Sequence, residues 1–276
     1  MERSEASCIL CGSLDRSLLI RQGSWTVFRC TGCGLGVLDP RPDKEEREKL
    51  YRSDYFLDQY DRGLPVGSPE LRRRIRQEDH RIRFFRPFKR KGHVLDFGCG
   101  MGYFLYACKQ GGYVVQGIDL SEESAQYVRN ELQIPVTTGD IDGIDITDNS
   151  LDVITMWHFL EHAADPRQYI AQASHWLKPA GLIVVDVPNY EGTDAKKTWG
   201  AWKGWQLPYH LYHFTPGAVI ALLNRSGFQI LRKKDYLSEY MREKLERMPL
   251  VRMLARPLAA LYSGHSFAVV ARKQAS

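Results

Sequence analysis

The stretch His93-Val-Leu-Asp-Phe-Gly-Cys-Gly-Met-Gly-Tyr103 decides the fold. An apolar run, Val94-Leu95, leads to Asp96. Glycines follow at alternate positions (Gly98, Gly100, Gly102), and a helix-like segment continues to Lys109. This order predicts a strand, a tight turn and a helix N-terminus, the arrangement that cradles an adenosine cofactor. The spacing is G-x-G-x-G, whereas a dinucleotide fingerprint reads G-x-G-x-x-G. An acid two residues before the first glycine suits a cationic ligand better than a pyrophosphate. S-adenosylmethionine (SAM), with an ammonium, a sulfonium and no phosphate, meets that requirement.

Outward from this turn the chain alternates. Val114–Leu120 reads as a strand, and Ser121-Glu-Glu caps a helix through Leu132. Ile134–Thr138 and Leu151–Trp157 read as strands, with Gly139-Asp140 after the first. A helix is expected from about Asp165 to Leu177, then a turn at Lys178-Pro-Ala-Gly181 and the strand Leu182–Val187. Thr215-Pro216 opens another helix, and Gly227–Leu237 and Ser266–Arg272 are the last strands. Such alternation predicts an α/β fold, a doubly wound and mostly parallel sheet covered by helices. Ligands gather at the carboxyl ends of such strands. Gly98 and Gly100, with Cys99 between them, let the backbone approach the methionine part, and Asp96 orients its ammonium. Asp119, 23 residues after Asp96, suits the ribose hydroxyls, with Leu120 beside the adenine. Trp157, at the end of its strand, belongs to the same group.

On these motifs residues 92–276 resemble the class I SAM-dependent methyltransferases. The resemblance implies a Rossmann-like sheet whose final strand is inserted antiparallel. It also implies that Asp140, with Ile141 beside it, sits near the adenine amino group. After the fourth strand comes Trp157-His-Phe-Leu-Glu-His162. His158-x-x-Glu161-His162 matches the H-x-x-E-H pattern of inverted zinc proteases. It directly follows a sheet strand, however, and no third ligand is recognisable downstream. The segment is more similar to the L-E-H signature of small-molecule methyltransferases, including quinone-pathway O-methyltransferases, in which Asp-Pro follows, as Asp165-Pro166 does here. Some of those enzymes hold a divalent cation with E-x-x-E-H. Here His158 replaces the first Glu, so a second metal on His158, Glu161 and His162 stays an open question. Shaping the methyl-transfer pocket is the role expected of Glu161 and His162.

Four cysteines stand in the first 33 residues, Cys8-x-x-Cys11 and Cys30-x-x-Cys33, separated by 18 residues. This is the spacing of a tetrahedral, structural zinc site, with Gly12, Gly32 and Gly34 supplying the knuckle turns. Residues 24–29 read as a strand into the second knuckle. We therefore expect a zinc ribbon over 1–40, a helical connector over 41–91, and a methyltransferase domain over 92–276. Within the connector, 43–60 look helical and end in Tyr51, Tyr55, Phe56 and Tyr60. From Glu70 to Lys91 runs a basic segment whose Leu71, Ile75, Ile82 and Phe85 mark an amphipathic helix with a charged, solvated outer face. Two insertions, 188–214 and 238–265, are long enough to cover a substrate pocket. The first carries Leu207-Pro-Tyr-His-Leu-Tyr-His-Phe-Thr-Pro216. His210, His213 and His162 are candidate general bases, with Glu161 a further candidate. The order of ribbon, Asp39-Pro-Arg-Pro42, Tyr-x-x-Asp-Tyr-Phe (51–56) and His-Leu-Tyr-His-Phe-Thr-Pro is similar to zinc-ribbon methyltransferases of polysaccharide and deoxysugar biosynthesis, including nucleotide-sugar C-methyltransferases.

Size and composition agree with this reading. The 276 residues are 43% hydrophobic, enough for one large core or two smaller ones. A net charge of +5 permits nucleic acid without demanding it. No apolar run reaches the ~18 residues that span a bilayer, and the N-terminus lacks a signal-peptide pattern. A cytoplasmic protein is expected. The leading function is methyl transfer from SAM to an oxygen or carbon of a small molecule. The alternative is an RNA methyltransferase, gripping phosphates with the ribbon and the 70–91 helix; the Asn/Asp-Pro-Pro-Tyr-type motif of RNA amino-group methylases is missing. A third reading is a non-catalytic SAM-binding partner. Sequence leaves the acceptor, O- versus C-methylation and the oligomeric state undetermined.

Overall fold

The computed structural model describes residues 7–43, 45–46, 50, 63–141 and 144–274. The helix expected over 43–60, with its aromatic cluster, lies almost wholly outside them.

The cysteine region folds as three short antiparallel strands, β1 (Arg16–Gln22), β2 (Trp25–Cys30) and β3 (Gly36–Leu38). Strand β1 was not expected: its side chains are largely solvent-facing and leave no apolar alternation to read. The basic segment forms α1 (Pro69–Phe85), capped by Ser68 and ending well before Lys91. Pro87 cannot continue a helix and restricts the residue before it. Leu71, Ile75, Ile82 and Phe85 are all buried, as the spacing predicts.

Strand and helix then alternate: β4 (His93–Phe97), α2 (Tyr103–Gln110), β5 (Val114–Asp119), α3 (Glu122–Asn130), β6 (Val136–Thr138), β7 (Leu151–Trp157), α4 (Pro166–Trp176) and β8 (Leu177–Pro188). Helix caps fall where the sequence puts them: Ser121 accepts from Ser124 N and Asp165 from Arg167 N. Strand β8 starts earlier than expected. It takes in the 178–181 turn as an irregular lead-in, with Ala180 in the left-handed region and a register shift against β7. The first insertion holds the short helix α5 (Thr193–Thr198) and β9 (Tyr212–His213). Thr215 caps α6 (Pro216–Arg225), and β10 (Phe228–Leu237), α7 (Glu239–Glu246), α8 (Ala255–Ala259) and β11 (Ser263–Lys273) complete the described fold.

Seven strands form the main sheet in the order β10-β11-β8-β7-β4-β5-β6. Strands β4 to β8 are parallel, while β11 runs antiparallel between β8 and β10, as the family resemblance implies. The order reverses between β4 and β7, so the ligand crevice opens there.

The second sheet joins segments far apart in sequence. Its order is β1-β2-β3-β9, so the ribbon is completed by a strand from the first insertion. Gly36 faces His213 and Val37 faces Tyr212. A Cβ on Gly36 would lie 2.8 Å from the Cβ of His213, so only glycine admits this approach. Leu38 N also donates to Leu211 O at 3.0 Å. Ribbon and insertion are one structural unit, which the separate ranges 1–40 and 188–214 do not convey.

Candidate active site

The glycine turn has the geometry its sequence predicts. Gly98, Gly100 and Gly102 all have positive φ, at 66°, 50° and 68°. A Cβ on Gly98 would strike Phe159, and one on Gly102 would strike Val128. The first contact places the segment after β7 directly against the turn. The Cys99 side chain points away, into the core beneath Gly117, so only its backbone could serve a ligand.

Three acids stand near consecutive strand ends. Asp96 is buried and accepts from the Thr155 hydroxyl at 2.5 Å, across the β4/β7 crevice. Burial raises its pKa to about 7, against the pull of that hydrogen bond and of Arg81. Asp119 accepts from Gly100 N at 2.7 Å and from Ser121 N at 2.9 Å, tying β5 to the glycine turn. Burial raises its pKa too, while those amides favour the charged form. Leu120, beside it, is exposed. Asp140 accepts from Ile141 N and from the Tyr169 hydroxyl of α4. Its carboxylate is thus engaged within the protein, while Ile141 packs partly buried against the core.

Two groups here escaped the sequence reading. Arg81 of α1 turns inward from the basic face, pairs with buried Glu78 at 2.9 Å and lies over the Trp157 ring at 5.0 Å. Its Nε is buried with no hydrogen-bond partner among the described residues, and its charge is felt at both Asp96 and Asp186. Asp186, within β8, is 2% exposed, and its Oδ1 likewise has no hydrogen-bond partner among the described residues. An acid inside the apolar run Leu182–Val187 was the available signal.

Beyond β7, His158 adopts φ 53°, a left-handed conformation that a side chain rarely takes. Its Nδ1 lies 3.4 Å from Glu161 Oε1 and its Nε2 3.8 Å from Asp186 Oδ1. Although enclosed by protein, the ring keeps 39% of its side-chain surface open. Burial opposes its charge, but Asp186 and Glu161 outweigh that and raise its pKa. The three histidines singled out in the sequence as bases behave oppositely. Burial lowers the pKa of His162, despite Glu161. His210 falls well below the ordinary range through burial and its neighbours His162 and His213, and burial takes His213 to about 3.

Glu161, His162 and His210 come together, with ligand atoms within 4.8 Å of one another. Among the described residues, neither oxygen of Glu161 has a hydrogen-bond partner. Nδ1 of His162 faces Tyr209 O at 3.1 Å and Nδ1 of His210 faces Gly204 O at 2.9 Å. Donation to a carbonyl leaves each Nε2 as the lone-pair nitrogen. A carboxylate and two neutral imidazoles are donors that a divalent cation accepts. His158 is not in this group, so the trio His158, Glu161 and His162 is not the set the fold assembles. His213 lies apart, in β9 against Trp205, its Nε2 buried and without a hydrogen-bond partner among the described residues.

In the ribbon, Cys8 Sγ lies 3.5 Å from Cys33 Sγ, and Cys11 Sγ 3.4 Å from Cys30 Sγ. Zn–S bonds of about 2.3 Å would put the sulfurs of a tetrahedron about 3.8 Å apart. Gly12 and Gly34, both at positive φ, donate to the Cys8 and Cys30 carbonyls and close the two knuckles. The four thiols fit a zinc ion with small adjustment.

A methyltransferase-domain family matches residues 70–233, more than half of the chain. The chain belongs to the SAM-dependent methyltransferases. Among curated relatives, a Mycolicibacterium smegmatis protein named "Probable S-adenosylmethionine-dependent methyltransferase" is 26% identical over 139 residues, 50% of this chain and 52% of that one. A ubiquinone biosynthesis O-methyltransferase of Coxiella burnetii is 32% identical over 102 residues, 35% of this chain and 44% of the relative. The chain thus spans about half the length of these relatives. A SAM-dependent methyltransferase structure from Archaeoglobus fulgidus superimposes with a TM-score of 0.54 at 22% identity, covering 72% of this chain and 94% of its own. One from Mesorhizobium loti gives 0.53 at 23%, covering 71% and 97%. These two carry the fold assignment. No helix among the described residues of this methyltransferase is long and apolar enough to cross a membrane.

Asp119→Ala is expected to weaken SAM binding about tenfold or more, the loss of charge-assisted hydrogen bonds of about 1.5–3 kcal/mol. Titration calorimetry reads this without an acceptor, and unchanged affinity would remove Asp119 from the site.

Proposed function

We propose that the methyltransferase moves the SAM methyl group to an oxygen or carbon nucleophile of a small molecule, such as a nucleotide-linked sugar, with His158 as general base. The observation that carries this reading is His158 itself. It is held in a strained conformation between two buried carboxylates, and Phe159 next to it touches the glycine turn. Strain of this kind is retained at functional positions.

Bound SAM supplies an electrophilic methyl on its sulfonium. Asp96 and Arg81 would meet the ammonium and carboxylate of its methionine part, and Asp119 the ribose. His158 would take the acceptor proton, and Glu161 and Asp186 would stabilise the resulting imidazolium. Positioning does the rest, since the methyl donor arrives activated. The lid of 188–214, with Trp202 and Trp205 stacked edge to face at 5.2 Å, would exclude water above the acceptor. His210, His213 and His162, held neutral by burial, serve as ligands or packing groups in this reading. The cysteine ribbon would hold structural Zn2+.

Because the Asp96 pKa stands near 7, SAM affinity is expected to fall as the pH drops through that value and the carboxylate is protonated. Calorimetry across that range checks this, and Asp96→Asn should flatten the dependence.

Methyl-labelled SAM, incubated with the protein and separately with nucleotide sugars, quinols and total RNA, tests the acceptor class. Label in the small-molecule fraction supports the proposal. Label in RNA alone would favour the reading in which α1 grips phosphates, for which Arg72, Arg73, Arg76 and Arg83 are exposed.

A further inference from the structure

Half of the large apolar side chains that the described residues expose fall in one stretch, 248–262: Met248, Leu250, Met253, Leu254, Leu261 and Tyr262. Leu250 is 99% exposed and Met253 97%. Side chains that stand so clear of the surface are knobs, not the lining of a groove for another protein's side chain. The stretch is nevertheless anchored. Ala255 and Ala259 of α8 are buried, and Ser238 N donates to Ala259 O at 3.3 Å and Tyr262 O at 3.1 Å. The Ser238 hydroxyl bonds Asp194 of the first insertion. Exposed apolar side chains on an anchored base call for an apolar partner.

Charge selects that partner. Residues 247–262 contain Arg247, Arg252 and Arg256 and no acid. The nearest acids in sequence, Glu243 and Glu246, precede the stretch on α7 and line a cleft with Arg247 and Arg252, and Glu246 also faces Arg242 at 3.5 Å. A two-fold pairing of copies through 247–262 would gather six arginines at one seam with no acid from either stretch. An anionic lipid surface satisfies both features, since hydrocarbon takes the knobs and headgroups take the guanidinium groups.

We propose that residues 247–262 dock the methyltransferase on an anionic membrane surface. The patch ends three residues before His265, whose ring lies 6.5 Å from that of His158 and 5.2 Å from that of Trp202. Docking therefore sets the His158 and His265 face beside the bilayer, and among the small molecules that the methyl-transfer reading admits it favours an amphiphile over a nucleotide-linked sugar. This last step rests on the methyl-transfer reading, while the docking does not.

Flotation of the full-length protein with vesicles is the test, using phosphatidylcholine alone and phosphatidylcholine with phosphatidylglycerol. Binding is expected with the anionic vesicles and should weaken as salt is raised. Leu250→Ser with Met253→Ser, and separately Arg252→Glu with Arg256→Glu, should each reduce the bound fraction about tenfold, at unchanged melting temperature and SAM affinity. Absence of binding to anionic vesicles, or variants that bind like the wild type, would overturn the proposal. So would a dimer that the serine variant dissolves in a protein that ignores vesicles. Failure of the wild type to bind SAM in calorimetry would strike the methyl-transfer reading and leave the docking result standing.

Discussion

Replacing His158 by alanine is expected to lower turnover about 10²–10⁴-fold while SAM affinity stays at its wild-type value. A base that acts on the acceptor proton is felt in the transition state and not in cofactor binding. The pH profile should carry the same signature. The flanking acids raise the pKa of His158 above its ordinary value. A base works only when unprotonated, so activity should rise with pH through that raised value. Asp186→Asn removes one supporting charge, lowers the His158 pKa and moves the rising limb toward acid. If His158→Ala kept full turnover, base catalysis would pass to His162, His210 or His213, and the corresponding alanine variants would identify which. A profile that ignores Asp186→Asn would separate His158 from its carboxylate.

The second large effect lies in the ribbon. Cys30→Ser should abolish bound zinc, because a tetrahedral thiolate site loses its closure with one ligand gone. Zinc binding to such modules amounts to about 10–16 kcal/mol of folding free energy in isolated peptides. Residues 7–38 should therefore become sensitive to proteolysis, while the main sheet stays resistant. Because β3 pairs with β9, the insertion bearing His210 and His213 should loosen with the ribbon. Metal analysis and limited proteolysis read the two parts. A full zinc complement in the variant would refute the assignment.

Much of this was legible in the sequence because it is local. The glycine turn, the strands ending in Asp119 and Trp157, and the caps at Ser121 and Asp165 each depend on neighbours in the chain. The cysteine pairs announce a site through spacing alone. What sequence did not reveal depends on distant partners. Strand β9 is two residues long and becomes a strand only because Gly36 lets it approach β3. Arg81 sits among ten basic residues in 70–91, and nothing local marks it as the one whose charge reaches Asp96 and Asp186. The histidines show the same limit. Composition marked 207–216 as the imidazole-rich segment, yet the fold buries those rings and leaves His158 between two acids.

The shared sheet also constrains how such an enzyme diversifies. Exchanging 204–214 with a relative, to bring in another acceptor preference, would carry over β9 and leave the host β3 to meet an unfamiliar edge. Leu38 and Gly36 read that edge directly, through Leu211 and His213. The two regions must therefore be inherited or recombined together, although some 170 residues separate them in the chain. A productive chimera takes its first forty residues and its 204–214 segment from one parent, and its glycine turn from either.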